Sequence, residues 1–259
     1  MEPVHWDEGD AGMPRSARFG EPYRSRSGAL AQARTVFLQG CGLPERWQGA
    51  DTFTVLELGF GLGLNALATW AAWRADARRS GVLRHVAIEA WPVTAGDIVR
   101  SARQAVQAEV SDGSSPPSLP PSPDASLVAL ATRLAEAWPA IRPGLQHWAL
   151  DAGDGLPPLH LTLAVGDVQP MLAALAQAGL PPADAVYLDG FSPAVNPQMW
   201  SPEVLTALAA QCRTGARLAT YSAARAVRDA LTAAGFAVQR RPGLPPKRHR
   251  LEAQRLPTA

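Results

Sequence analysis

Three glycines stand at alternate positions, Gly59, Gly61 and Gly63, directly behind an apolar run that contains the acidic residue Glu57. Because glycine has no Cβ, such a turn lets the backbone bend sharply and approach a ligand closely. The spacing G-x-G-x-G differs from the dinucleotide fingerprint G-x-G-x-x-G, so a pyrophosphate on the helix N-terminus is not indicated. Two interpretations stay open: a cradle for a nucleotide-like cofactor, and a tight turn between a strand and a helix.

Acidic residues also end two later apolar runs. Glu89 closes VAIE and Asp167 closes AVGD. In a parallel sheet these ends meet Glu57 at one edge, which is the edge where ligands bind in this architecture. Glu89 then stands where a carboxylate binds ribose hydroxyls, and Asp167 where one reaches an adenine amine or a nearby loop. For each of the three, the alternative is a solvated carboxylate at a strand end.

Segment 187–200, YLDGFSPAVNPQMW, combines an aspartate, two prolines, an asparagine and large apolar side chains, which a plain connecting loop does not need. It resembles the pattern L-D-G-F-A-P-A-x-N-P-D-M-W of the methyltransferase domain of the MnmC family, which modifies the wobble uridine of bacterial tRNA and is also found alone as MnmD. LELGFGLGLN is similar to that family's E-x-G-F-G-T-G-L-N, with Leu62 at the usual threonine. The resemblance covers nearly the whole chain apart from a Pro/Ser-rich stretch.

The resemblance implies a fold, a cofactor and a reaction. The fold is α/β, the Rossmann-like class I fold of S-adenosylmethionine-dependent methyltransferases. The reaction is N-methylation of the 5-aminomethyl group of wobble uridine or 2-thiouridine, with tRNA bound through its anticodon loop. The cofactor-binding residues implied are Glu57, Gly59, Phe60, Gly61, Gly63, Asn65, Glu89, Asp167 and Asp189.

Asp189 is the predicted catalytic residue. An aminomethyl group is largely protonated at neutral pH, so its nitrogen must lose a proton before the lone pair can attack a methyl group. A carboxylate at a strand end beside the cofactor accepts the amine's hydrogen bonds, orients it and helps to carry the proton away.

The rest of segment 187–200 is predicted to shape a pocket for a base turned out of the anticodon loop, with an aromatic wall for stacking. Met199 and Trp200 have an alternative, because large apolar side chains are most often simply buried in a core. By resemblance, Tyr23, Arg34 and Phe37 lie near the active site. The predicted acceptor-binding residues are Tyr23, Phe191, Pro193, Asn196, Pro197, Met199, Trp200, Lys247 and Arg248.

A basic cluster lies near the end of the sequence, in RRPGLPPKRHR. Either it contacts tRNA phosphates or it forms a solvated basic edge, and the net charge of +1 favours neither. Lys247 and Arg248 match the family's pattern, whereas the acidic residue that follows them there is absent. The chain also departs from the family pattern at Arg24, Gln32 and Cys41.

Regular elements must position these residues. From Phe53 onwards, short apolar runs alternate with alanine- and leucine-rich helical stretches, which predicts a parallel sheet flanked by helices. Residues 51–259 form the predicted Rossmann-like domain, and residues 1–50 an N-terminal extension with one helix and several turns. The Pro/Ser-rich residues 110–125 are predicted to loop out of the domain.

The composition is that of an ordinary globular protein, with 259 residues of which 47% are hydrophobic and 18% charged. No apolar stretch or signal-like start indicates a membrane, so a cytoplasmic protein is expected. Cys41 and Cys212 are far apart and lack a C-x-x-C, and the histidines lack zinc spacing, so neither a disulfide nor a metal is predicted. The sequence does not indicate an oligomeric state.

Two other functions compete with tRNA methylation. A methyltransferase for a small-molecule or protein amine needs no phosphate contacts, so weak salt dependence would distinguish it. A non-catalytic nucleic-acid-binding domain of the same fold would fail to bind S-adenosylmethionine. No second glycine fingerprint follows the methyltransferase pattern, so the flavin-dependent oxidase activity of two-domain relatives is not expected.

Overall fold

The computed structural model describes residues 1–7, 12–25, 28–111, 123–138 and 141–257. Its strands are β1 Val4–Trp6, β2 Pro14–Ser16, β3 Thr52–Leu58, β4 Val82–Glu89, β5 Gly144–Leu150, β6 Leu159–Val165, β7 Ala183–Leu188, β8 Cys212–Thr220, β9 Phe236–Pro242 and β10 His249–Arg255. Its α-helices are α1 Ala29–Gln32, α2 Leu64–Ala75, α3 Ala95–Ser111, α4 Pro123–Ala137, α5 Val168–Gln177, α6 Pro202–Ala210 and α7 Arg225–Ala233. A π-helical stretch, Ala33–Leu38, continues α1, and short 3-10 turns span Gln39–Cys41, Glu45–Trp47 and Pro197–Trp200.

Within the described residues, eight strands form one sheet in the order β5-β6-β4-β3-β7-β8-β10-β9, and β1 pairs with β2 in a separate hairpin. The five neighbouring strands β6, β4, β3, β7 and β8 run parallel, while β5 and β10 run antiparallel to their neighbours. The predicted parallel sheet flanked by helices is therefore confirmed. After β3 the chain adds β4 and β6 on one side of this strand and then β7 on its other side. A crevice therefore opens between the carboxyl ends of β3 and β7.

Both faces of this sheet are covered by helices. In β3, the six residues Phe53–Leu58 are all buried, a run that is typical of a parallel strand between two helical layers. One core contains Trp70 of α2 and Trp138 after α4, and the opposite core contains Leu205 of α6 and Leu231 of α7. The two layers hold the strand ends in fixed register at the crevice.

The predicted N-terminal extension shares the first core. Leu30, Phe37 and Trp47 are fully buried in it. The β1–β2 hairpin is held against the start of α3, where the indole Nε1 of Trp6 donates to Asp97 Oδ1 at 2.8 Å. The described part of residues 1–50 is thus packed against the sheet and reaches its carboxyl edge.

Some elements differ from the sequence prediction. Strand β5 was not predicted, because it is an edge strand that mixes His147 and Trp148 into a weakly alternating pattern. The ends of the predicted 110–125 loop are helical, since α3 continues to Ser111 and α4 begins at Pro123; residues 112–122 lie outside the described residues. No helix in the described ranges has the length and apolarity needed to cross a bilayer.

Candidate active site

A cavity of about 1130 Å³ opens at the carboxyl edge of the sheet. Its wall combines the β3–α2 turn, the ends of β4, β6 and β7, the loop after β7, the β9–β10 turn and part of the first 50 residues. Since typical small-molecule sites measure about 300–1,000 Å³, this cavity has room for two reactants. The predicted site residues in its wall are Tyr23, Gly59, Phe60, Gly61, Asn65, Glu89, Asp167, Asp189, Phe191, Asn196, Pro197, Met199 and Lys247.

The glycine turn is bound to the end of β4. The backbone N–H groups of Gly59 and Phe60 both donate to Ile88 O, at 3.0 and 3.2 Å. Glu89 accepts the Gly61 N–H at Oε2 and the Trp91 N–H at Oε1, each at 2.8 Å. Burial raises the pKa of Glu89, although these two hydrogen bonds favour its charged form. The carboxylate predicted to bind ribose hydroxyls therefore also shapes the turn that surrounds it.

Gly59 is required by close backbone packing. Its φ is +88°, and an added Cβ would lie 2.5 Å from the carbonyl oxygen of Asp189. Gly63 also has a positive φ, of +73°; it directly precedes α2, and an added Cβ would lie 3.1 Å from the ring of Phe60. Phe60 itself stacks on Trp138 with a centroid distance of 5.4 Å, so it offers mainly backbone to the cavity.

Gly59→Ala is expected to lower stability by about 1–3 kcal/mol, because the new methyl group collides with backbone at a strained φ. It should also displace Asp189 and weaken cofactor binding. Gly144→Ala is the matched control, since Gly144 has a φ of +95° and nothing within 4 Å of its added Cβ. Urea unfolding and titration with S-adenosylhomocysteine measure both effects, and equal loss of affinity in the two variants would contradict the packing argument.

Asp189 lies directly after β7, half-buried in the cavity wall. Its Oδ1 accepts the Gly190 N–H at 2.8 Å, and its Oδ2 accepts Asn65 Nδ2 at 2.9 Å. Burial and the nearby charge of Glu57 raise the pKa of Asp189 to about 7, against the opposing influence of both hydrogen bonds and of Lys247. A carboxyl group with this pKa exchanges a proton readily near neutral pH.

Glu57 has a different place from the one predicted. It is fully buried beneath the cavity, where Oε1 accepts Asn65 Nδ2 at 2.8 Å and Oε2 lies 2.7 Å from His85 Nε2. The Asn65 amide thus bridges the Glu57 and Asp189 carboxylates. Glu57 is outside the cavity wall, because side chains alternate along β3 and this position faces the α2 layer. Glu57 is therefore joined to Asp189 through the Asn65 amide, outside the cavity wall.

The loop after β7 is held by aromatic packing. Phe191 stacks on Phe19 with a centroid distance of 4.6 Å and meets the edge of Tyr23 at 5.1 Å. Trp200 points into the core, in agreement with the alternative interpretation that its side chain is simply buried. Its indole N–H donates to Phe191 O at 2.9 Å. Met199 is also buried, but its side chain reaches the cavity wall beside Gly190.

Two residues that the sequence analysis missed complete the wall. Glu21 accepts the Ser192 N–H at 2.8 Å and the Ser192 hydroxyl at 2.5 Å, which fixes the loop after β7. Tyr221 donates its hydroxyl to Gly190 O at 2.6 Å. Tyr221 directly follows β8, so the strand-end rule that selected Asp189 also points to it. Glu21 lies in an irregular segment, where no periodicity or spacing marks it.

The remaining predicted residues are arranged as follows. Asp167 is exposed in the cavity wall at the start of α5. Pro193 and Arg248 lie outside the wall. Arg24 and Gln32 are in the wall, whereas Cys41 is buried in the core. No group of three or more potential metal ligands occurs among the residues that the structure describes.

Comparison with known proteins assigns the chain to a protein family. Residues 125–256, about half of its length, match the model of a family described as S-adenosyl-L-methionine-dependent methyltransferases. The chain belongs to this family. The methyltransferase's S-adenosylmethionine cofactor and class I α/β fold, both predicted from the sequence, are thereby confirmed.

Similar proteins cover the methyltransferase almost completely. It is 46% identical over 256 residues to the tRNA 5-methylaminomethyl-2-thiouridine biosynthesis bifunctional protein MnmC of Acidovorax sp. (strain JS42), covering 99% of this chain and 36% of that protein. It is 47% identical over 253 residues to the protein of the same name from Paracidovorax citrulli (strain AAC00-1), covering 98% and 35%. The chain therefore spans about a third of the length of these curated relatives.

A solved structure supports the fold. The crystal structure of MNMC2 from Aquifex aeolicus aligns with a TM-score of 0.69 at 21% identity, covering 100% of this methyltransferase and 73% of that chain. The alignment includes the first 50 residues of this chain.

The wall of the cavity fits an adenosyl cofactor. The Gly59 turn lies in the cavity wall, and because Gly59 has no Cβ this turn packs directly on the backbone of Asp189. Beside this cradle, Glu89 presents a carboxylate at the end of β4, as ribose binding in such folds requires. Gly59, Gly61 and Glu89 would hold the cofactor, with Asp167 at the far end of the same edge.

Proposed function

We propose that this methyltransferase transfers a methyl group to the nitrogen of the 5-aminomethyl group of wobble uridine, or 2-thiouridine, in the anticodon loop of tRNA. The observation that carries the proposal is Asp189, a carboxyl group with a pKa of about 7 that lies in backbone contact with the glycine cradle. The names of the similar proteins support the choice of substrate.

When bound, S-adenosylmethionine supplies an electrophilic methyl group. The protein must supply a neutral amine, because a protonated nitrogen has no lone pair for the in-line displacement. An alkylammonium has a pKa of about 10.4 and an ordinary aspartate about 3.9, so the raised pKa of Asp189 reduces this difference by about half. Asp189 accepts the ammonium proton at its carboxylate and holds the resulting amine by a hydrogen bond.

The aromatic side chains beside Asp189 are suited to a base. Phe191, Phe19 and Tyr23 form a continuous ring cluster along one side of the cavity. Unstacked bases bind to such rings, and modification of a base requires that it leave its stack. We place the wobble base against this cluster, with its 5-substituent directed to Asp189.

Exposed arginines of the basic cluster are proposed to contact tRNA phosphates. Within the basic cluster, Arg241 and Arg250 form ion pairs with Glu252, whereas Arg240 and Arg248 are exposed on β9 and the following turn. The proposed phosphate contacts are therefore assigned first to Arg240 and Arg248.

Replacing both Arg240 and Arg248 by Gln is expected to weaken tRNA binding roughly tenfold at low salt. The slope of the logarithm of the binding constant against the logarithm of the salt concentration should decrease by about 1–2, because binding with fewer phosphate contacts releases fewer counterions. Arg78→Gln is the control, since Arg78 is exposed near the opposite, amino edge of the sheet. Filter binding over a series of salt concentrations measures the slope. The same decrease for Arg78→Gln would contradict a localised contact.

The proposed function is tested by incubating the protein with S-adenosylmethionine and aminomethyl-bearing tRNA, followed by nucleoside digestion and mass spectrometry. A gain of one methyl group on the wobble nucleoside is expected. tRNA that lacks the aminomethyl group is the control and should gain none. Cofactor binding without methyl gain on either tRNA would reject this acceptor.

A further inference from the structure

Lys247 lies inside the proposed acceptor site, not on the outer surface with the arginines. It belongs to the turn between β9 and β10, and its Nζ lies 3.6 Å from the centroid of the Tyr221 ring. Both residues line the cavity, together with Asp189 and Glu21. Burial lowers the pKa of Lys247, whereas the charges of these two carboxylates favour its ammonium form.

This arrangement is a site for a primary ammonium ion. A cation over an aromatic face is stabilised by about 0.5–2 kcal/mol, depending on its desolvation, and nearby carboxylates add attraction. The Lys247 side chain ends in a methylene-ammonium group, and the protonated aminomethyl substituent of the proposed acceptor has the same terminal chemistry. Lys247 and the acceptor therefore suit the same position.

We propose that the face of Tyr221, flanked by Asp189 and Glu21, is the subsite for the acceptor's ammonium group, and that Lys247 occupies this subsite until the acceptor displaces it. The inference rests on the proposed function, because it takes the acceptor to be a primary ammonium. It replaces the sequence-based prediction of a phosphate contact for Lys247.

The residues that form the subsite are held by hydrogen bonds and packing, whereas Lys247 lies in a turn. The Tyr221 hydroxyl donates to Gly190 O at 2.6 Å, and the ring meets the edge of buried Trp200 at a centroid distance of 6.2 Å. Glu21 is held by its two hydrogen bonds with Ser192. Lys247, by contrast, is partly exposed and lies in a short turn outside the core, so it can leave without disturbing the core.

Lys247→Met tests the displacement, since methionine keeps the length of the side chain and removes the ammonium. The probe is 5-aminomethyluridine, a nucleoside without phosphate, titrated in the presence of S-adenosylhomocysteine. Because a competing contact of about 1 kcal/mol disappears, the variant should bind this probe about fivefold more tightly. The neutral 5-hydroxymethyluridine is the matched ligand and should show no such gain.

Tyr221 variants test the ring itself. Tyr221→Phe retains the aromatic face and should keep most of the affinity for 5-aminomethyluridine, whereas Tyr221→Leu should lose about fivefold or more. Both variants lose the hydroxyl that donates to Gly190, so their difference isolates the ring.

Two results would overturn the proposal. One is unchanged or weaker nucleoside binding by Lys247→Met together with weaker tRNA binding and a smaller salt slope, since that combination identifies a phosphate contact. The other is equal affinity of the two Tyr221 variants. Failure of the proposed function is seen separately, as the absence of methyl gain on tRNA, because the titrations measure binding alone.

Discussion

Asp189→Asn is expected to lower kcat for methyl transfer by about 10²–10⁴-fold, the usual contribution of a positioned acid or base. Asparagine keeps the volume, and its amide oxygen can accept one of the two hydrogen bonds that Asn65 and Gly190 donate, but its amide nitrogen faces the other donor and cannot take a proton. Single-turnover assays with aminomethyl-bearing tRNA measure the chemical step directly. A residual rate within a few-fold of the unchanged protein would remove Asp189 from the catalytic role.

The pH dependence has a defined sign. Since the carboxylate is the active form, the rate should rise with pH through the Asp189 pKa of about 7. Stability should change in the opposite direction. The folded state binds this proton more tightly than the unfolded chain, whose aspartate pKa is about 3.9, so this group's contribution to stability decreases as pH rises between the two values. The free energy of unfolding of the unchanged protein should therefore decrease relative to that of Asp189→Asn, which lacks this titration, as the pH rises towards 8.

Asp184→Asn is the control for these measurements. Asp184 lies on the same strand, at its amino end, where it accepts the Thr54 N–H at 2.8 Å and pairs with Arg213. Its pKa is also raised by burial, but it is distant from the cavity wall. Its replacement should leave the pH profile of methyl transfer unchanged. A parallel loss of activity in this variant would mean that the assay reports strand packing.

Glu57→Ala is expected to destabilise the protein by about 3–5 kcal/mol, because it leaves buried polar partners without their carboxylate. Asn65 would lose one of its two acceptors, and His85 would lose its Nε2 partner in a fully buried position. Chemical denaturation monitored by circular dichroism measures the loss. A cost below about 1 kcal/mol would show that the Glu57 hydrogen bonds contribute little.

Glu57→Gln separates this structural role from an effect on Asp189. Glutamine fills the same space, yet it removes the negative charge that raises the pKa of Asp189. The midpoint of the pH–rate profile should therefore move to lower pH, while the tRNA affinity stays the same. Lower stability with an unmoved midpoint would leave Glu57 with a structural role only.

Sequence patterns predicted most of the framework because they depend on local spacing. The alternation of apolar runs with helical stretches predicted the parallel sheet, and the carboxyl ends of its strands supplied Glu89, Asp167 and Asp189. The edge strand β5 was missed for the same reason, since it pairs on one side only and lacks a continuous apolar run.

The sequence by itself determined which residues follow each strand, and therefore which side chains gather at the ligand-binding edge. Only the tertiary structure decided where those side chains point. Glu57 is one residue short of the end of β3, so the alternation of the strand turns it beneath the cavity, where Asn65 joins it to Asp189. Glu21 and Lys247 meet at Asp189 and Tyr221 from distant parts of the chain. Such contacts depend on packing between elements, which no local spacing encodes.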